Sequence, residues 1–267
     1  MNILLGGVVV VGVISVASVI LRGIDISMIF DPDALLIVIG GTIIALFVGF
    51  PFKRVRDTVC DIVNAFRDKR DREAVVRDIV DIARIYRRAN IKDLENRLKE
   101  KKGDDFLMLG INLLINHHRS TDIRNIMERE MSFRVVNYNF SQNMLKTIAR
   151  LTPSLGLAGT VISLIKMFKN LQSVDAMATL IAAALMSTFY GVIISNLFIL
   201  PLYAKLKEKA VISETLMNIT IEGIVAINEL DHPFKIEEKI KGYDTVKDIY
   251  LSRVGAPLTI NKGTSGV

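Results

Sequence analysis

The sequence predicts an all-α integral membrane protein: four transmembrane helices, a cytoplasmic helical domain between spans 2 and 3, and long cytoplasmic extensions of spans 3 and 4. Three observations predict it. Mean hydropathy is +0.38 although 23% of the 267 residues are charged, so the charges must be segregated along the chain. Apolar runs at 3–21, at 34–50 and twice more between Thr152 and Tyr203 each come close to the roughly 20 residues that cross a ~30 Å hydrocarbon core. Between the second and third runs, apolar residues recur at steps of three and four, the period of a helix.

Residues 3–21 are uncharged, and nothing basic precedes them as it would in a secretory signal peptide. They are expected to remain as the first membrane helix. The loop at 22–33 sets Asp25, Asp31 and Asp33 against Arg22 alone. Ala34 to Phe50 returns across the membrane, with Gly40-Gly41 marking a close helix contact and Pro51 ending the run. Lys53, Arg54 and Arg56 follow at once, and basic residues stay dense to Arg150. By the positive-inside rule residues 51–149 are cytoplasmic, as are both termini, and the loops at 22–33 and 170–176 lie outside. Lys166 and Lys169, at the outer end of the third span, run against that rule, which weighs totals.

Inside the cytoplasmic block, Ala74, Val75, Val76, Ile79, Ile82, Ala83 and Tyr86 share helical spacing, as do Ile91, Leu94 and Leu98. Lys101-Lys102-Gly103 is a helix stop, and Phe106 to Ile115 is a further apolar-faced helix. Ser120-Thr121-Asp122 supplies N-cap chemistry for a helix expected to run unbroken into the third span. After the fourth span, Lys205, Lys207 and Lys209 mark the return to the cytoplasm, helical spacing lasts to about Asn228, and Pro233 opens a charged helix. The expected domains are therefore 1–50 with spans 1 and 2, 51–149 in the cytoplasm, 150–204 with spans 3 and 4, 205–250 as cytoplasmic C-terminal helices, and a disordered tail at 251–267.

Composition narrows the function. A net charge of +6 comes from basic residues flanking membrane helices and needs no nucleic acid to explain it. The single cysteine, Cys60, excludes an internal disulfide and offers no metal framework. His117-His118 is expected to be a helix end at a surface. No nucleophile–base pairing, phosphate loop or metal spacing points to an enzyme. No cofactor is expected.

The distinctive stretch runs from Thr152 to Tyr203. Pro153, Gly156, Thr160 and Ser163 share one helix face, and Ala184, Ser187, Thr188, Gly191 and Ser195 share another. Two readings stand open. Small residues let membrane helices approach closely, so both stripes can be packing alone. Alternatively they face a narrow polar path lined by Thr160, Ser163, Ser187 and Thr188. None of the four apolar segments contains Asp, Glu or His.

Pro153–Leu164 (P-S-L-G-L-A-G-T-V-I-S-L) and Ala184–Leu202 (A-L-M-S-T-F-Y-G-V-I-I-S-N-L-F-I-L-P-L) resemble the third and fourth helices of the MotA/PomA family of flagellar stator subunits, each with its proline, here Pro153 and Pro201. The resemblance extends over the layout down to about residue 245. Arg87, with Glu95 eight residues on, matches the family's cytoplasmic charged pair, although Asn90 stands where many relatives carry Gly and Arg84 and Arg88 compete for the alignment. The resemblance implies a ring of such subunits, five in number, around two copies of a MotB-type single-span partner that carries a membrane Asp. It implies H⁺ or Na⁺ as the translocated ion, Pro153 and Pro201 as hinges, and Arg87 and Glu95 as contacts to the rotor protein FliG. ExbB/TolQ-type energy transducers of the cell envelope are the alternative; they typically have one span before the cytoplasmic block, where this chain has two.

Overall fold

The computed structural model describes residues 30–67, 72–88, 94, 104–169 and 174–241. The expected first span at 3–21, the helix stop at Lys101-Lys102-Gly103, Asn90, Glu95 and the tail at 251–267 lie outside the described residues. Among the described residues every regular element is helical: α1 Pro32–Gly49, α2 Phe52–Arg67, α3 Arg72–Arg87, α4 Asp105–Ile115, α5 Ser120–Lys169, α6 Val174–Ile193, a π-helical turn Ile194–Ile199, α7 Leu200–Asn228 and α8 Pro233–Lys241. Three of these stretches are long and apolar enough to cross a membrane: Pro32–Gly49, one within Ser120–Lys169, and one within Met177–Asn228.

The element ends follow local chemistry. Asp31 caps α1, its Oδ1 accepting from the N–H groups of Asp33 and Ala34 at 3.0 and 3.1 Å, with Pro32 at the first position, where no N–H is needed. Phe50 turns extended at the other end, ahead of Pro51. Asp104 caps α4 through the Leu107 N–H. His117 stops α4 in the left-handed region at φ 53, exposed beside His118, so the pair is the surface helix end expected of it. Ser120 to Asp122 form the first turn of α5 itself, with Arg119 supplying the first accepting carbonyl. At 50 residues α5 runs unbroken through Pro153 for about 75 Å, more than twice the hydrocarbon thickness.

Contacts divide the described residues into two compact units, one made of those up to 56 and from 143 to 203, the other of those from 57 to 142 and from 204 onward. The second unit carries a conventional apolar core. Ile79, Leu94, Leu107, Ile111, Leu114, Ile123, Met127, Ile219, Ile224 and Ile227 are almost fully enclosed. Each such side chain contributes roughly 1.5–3 kcal/mol relative to exposure. Around that core Glu222 of α7 accepts from Arg124 of α5 at 2.6 Å and pairs with Lys239 of α8 at 3.4 Å, so three helices meet on one carboxylate. Asn228 donates to Ser120 Oγ at 2.9 Å at the end of the same pair of helices.

A polar relay lies between α2 and α5 in this unit. Thr58 donates to Ser141 Oγ at 3.2 Å, and Ser141 donates to Asp61 Oδ2 at 2.6 Å. Burial pushes the Asp61 carboxyl up, the Ser141 bond opposes it, and Asp57 nearby adds to the rise. A carboxyl raised in the folded state holds its proton more readily when folded, so its contribution to stability falls as pH climbs through that window. Asp61→Asn is therefore expected to raise the apparent melting temperature at neutral pH, by about 1–2 °C, with the advantage shrinking in mild acid. Melting the purified protein at two pH values checks this; a gain that grows in acid contradicts it.

In the first unit α1 packs against α6 and against α5. Of the glycine pair expected to mark a close contact, Gly41 does so against the Leu155 side chain, while Gly40 faces open space. Leu36, Ile44 and Val48 of α1 stand exposed, the outward face that a helix in hydrocarbon carries.

Candidate functional site

The two small-residue stripes meet face to face between α5 and α6. A Cβ placed on Gly156 would come within 2.8 Å of the Ser187 carbonyl oxygen and 3.3 Å of the Gly191 Cα. One placed on Gly191 would come within 2.9 Å of the Thr152 carbonyl oxygen and 3.2 Å of the Gly156 Cα. Backbone lies against backbone here, and only glycine allows it. The packing reading therefore holds for the glycines.

The four hydroxyls separate into two pairs. Thr160 and Thr188 are brought together: their Oγ1 atoms are 2.5 Å apart, and Thr160 Oγ1 also lies 3.2 Å from the Gly156 carbonyl and 3.1 Å from that of Ala184. Two hydroxyl protons serve this cluster of oxygens, and both threonines keep part of their surface exposed. Ser163 and Ser187 are enclosed instead. Ser187 is 0% exposed and its Oγ has no hydrogen-bond partner, pressed where a Cβ on Gly159 would collide with it. The arrangement presents a partly exposed oxygen cluster at Thr160 and Thr188, backed by a hydroxyl left unsatisfied inside.

Both prolines are accompanied by a departure from ordinary α-helical bonding. Pro153 has no N–H, so the Ala149 carbonyl one turn earlier lacks its helical donor. Ser195 fills the gap from the neighbouring helix, its Oγ donating to the Ala149 oxygen at 2.6 Å in a buried contact. Before Pro201 the chain widens into the π-helical turn Ile194–Ile199, whose closing bond runs from the Leu200 N–H to the Ser195 carbonyl. A proline ring clashes with the carbonyl four residues earlier, and the wide turn opens at that place. Ser195 was legible only as a small residue in a stripe; the missing donor at Pro153 was the signal that could have singled it out.

At the α1 N-terminal end of this unit, Lys166 lies 4.0 Å from Asp33 and the Asp31 N–H donates to Tyr190 Oη at 2.9 Å. The lysine that runs against the charge rule thus sits beside an acid of the 22–33 loop, in an exposed pair worth ~0–1 kcal/mol. In the other unit Arg87 is exposed at the last residue of α3, where a cation suits the helix dipole. Arg84 pairs with Asp81 at 3.4 Å. Arg88 is exposed in the turn that follows. Among the described residues no group of three or more His, Cys, Asp or Glu side chains could hold a metal ion.

Within α5 and α6, stretches long and apolar enough to cross a membrane pack through small residues around a hydroxyl cluster. Residues 98–218 match the model of the MotA/TolQ/ExbB proton channel family. The chain is similar to Motility protein A of Treponema pallidum, 29% identical over 216 residues that cover 80% of this chain and 83% of that one. Motility protein A of Bacillus subtilis is 27% identical over 248 residues, covering 91% and 90% of the two chains. Chemotaxis protein PomA of Vibrio alginolyticus is 25% identical over 229 residues, covering 85% and 89%. The fold matches a chain of the flagellar MotAB stator complex from Bacillus subtilis with a TM-score of 0.78 at 26% identity, over 94% of this chain and 98% of that one. It also matches C. jejuni MotAB, TM-score 0.79 at 24% identity, which speaks for the fold alone.

Proposed function

We propose that this chain is the stator subunit of a flagellar motor which, with a MotB-type partner, forms an ion channel and converts ion flow into torque. The observation that carries the reading is the likeness, along nearly the whole chain, to a subunit of a solved stator complex. The hairpin supports it: Thr160 and Thr188 present oxygens, and the apolar segments contain no carboxylate of their own. In this reading five copies surround two partner helices, each carrying an Asp, in the cytoplasmic membrane, with both termini inside. Thr160 and Thr188 line the path with Ser163 and Ser187 enclosed behind them, H⁺ or Na⁺ is the ion, and Pro153 and Pro201 act as hinges that pass ion occupancy to the cytoplasmic helices. The protein then works by conduction and contact, not as an enzyme.

Deleting the gene tests this: cells that still assemble flagella but do not swim support the stator, while normal swimming sinks it and leaves the envelope transducer. In the same strain, swimming speed with and without Na⁺ at fixed membrane potential names the ion. Arg87 and Glu95 are the proposed rotor contacts, acting on FliG as a charged surface that sets approach and register. Arg87→Glu is expected to cut swimming speed severalfold while membrane levels hold, and to be suppressed by a charge reversal in FliG. Full torque after reversing both Arg87 and Glu95 reduces them to solvated surface charges.

A further inference from the structure

We propose that Ser195 is a positioning residue that ties the two proline sites into one mechanical element, by giving Ala149 the hydrogen bond that Pro153 cannot make. The functional half of the proposal rests on the stator reading; the bond itself does not.

The behaviour of the neighbouring hydroxyls sets Ser195 apart. Thr147, Thr152 and Ser154 each donate back to the carbonyl four residues earlier in their own helix, and Thr160 lies within reach of its own, Gly156. That is the default for a hydroxyl in a helix with no water at hand. Ser195 instead crosses to α5 and meets the one carbonyl there that Pro153 has orphaned. It is 2% exposed, so no solvent substitutes for it. A buried carbonyl without a donor is costly, which makes this contact a requirement of the Pro153 geometry rather than an ornament of the packing.

The same residue belongs to the wide turn. Its backbone carbonyl accepts from Leu200 across the π-helical step, one residue before Pro201. Its side chain and its main chain therefore serve the two proline sites at once. Closing the wide turn to ordinary helical spacing rotates the residues on one side of it against those on the other, and the Ser195 hydroxyl leaves Ala149. The released hydroxyl has a resting place, the Gly191 carbonyl four residues back, as its neighbours have theirs. The arrangement thus has two discrete states, bridged and released, and both proline sites change together between them. Discrete alternatives of this kind are what a coupling element requires.

The test is a cycle of four variants of the full chain, produced together with its partner subunit: wild type, S195A, P153A and P153A/S195A, with S195T as the conservative rescue. S195A is expected to lower the apparent melting temperature of the purified complex by about 2–4 °C, and to at least halve swimming torque at unchanged membrane level. S195T restores both. On the P153A background residue 153 regains its N–H and serves Ala149 from within the helix, so adding S195A shifts melting by less than about 1 °C. Equal melting losses on both backgrounds overturn the bond, and undiminished torque in S195A overturns the coupling. If the wild-type chain itself restores no swimming, the stator reading falls, and the melting cycle still decides the bond.

Discussion

Liposomes carrying this chain alone are expected to show no ion flux above empty vesicles, and flux is expected to appear only when a single-span partner with a membrane carboxylate is reconstituted with it. Moving H⁺ or Na⁺ through hydrocarbon requires a site that changes or offsets charge, and ionisable residues inside membrane spans are the usual carriers. The four apolar segments contain no Asp, Glu or His. What the chain supplies is a hydroxyl cluster, Thr160 Oγ1 and Thr188 Oγ1 at 2.5 Å with two carbonyls close by. Those oxygens can accept a hydrogen bond from a protonated carboxyl or coordinate a desolvated cation, but they carry no charge of their own. An ionised carboxylate at mid-span costs roughly 2.5–3.5 kcal/mol by insertion scales. In the proposed stator, the partner supplies that carboxylate and this chain the oxygens beside it. A pH-sensitive dye inside the vesicles, read under an imposed potential, makes the measurement. Gradient-driven flux from the purified chain by itself would overturn the division of labour.

Gly191→Val is the second change expected to have a large effect, because nothing it meets can move cheaply. The new Cβ comes within 2.9 Å of the Thr152 carbonyl oxygen and 3.2 Å of the Gly156 and Pro153 Cα atoms, all main-chain atoms of α5. Relief requires the two helices to separate, and overpacking of a tight contact costs about 1–3 kcal/mol even where side chains can yield. Separation also pulls Ser195 from Ala149 and Thr188 from Thr160, since all lie along the same contact. Membrane levels are expected to fall at least fivefold and swimming to cease. Gly40→Ala, placed in open space in the single chain, serves as the control and should accumulate normally. Quantitative immunoblots of membrane fractions decide it; wild-type levels of Gly191→Val would mean that the hairpin contact is looser than the geometry requires.

Much of this protein is decided locally, and local decisions are legible in one dimension. Apolar run length marks Pro32–Gly49 and the spans within α5 and α6 as membrane helices, and apolar spacing over Ala74–Tyr86 and Phe106–Ile115 lands on α3 and α4. The helix from Ser120 through Pro153, the end near Asn228 and the start at Pro233 follow from propensity and punctuation in the same way. The residue types of the site were legible too, as two stripes of small and hydroxylated side chains. Which of them meet depends on the rotation and axial offset of one helix against another, set by the sum of contacts along the hairpin. Only tertiary structure could bring Thr160 to Thr188 while enclosing Ser163 and Ser187, or set Gly156 against Gly191 while leaving Gly40 open. The wide turn before Pro201 and the Ser195 bond to Ala149 belong to the same class. A proline announces that a carbonyl will lose its donor; the packing of the neighbouring helix decides which side chain supplies another.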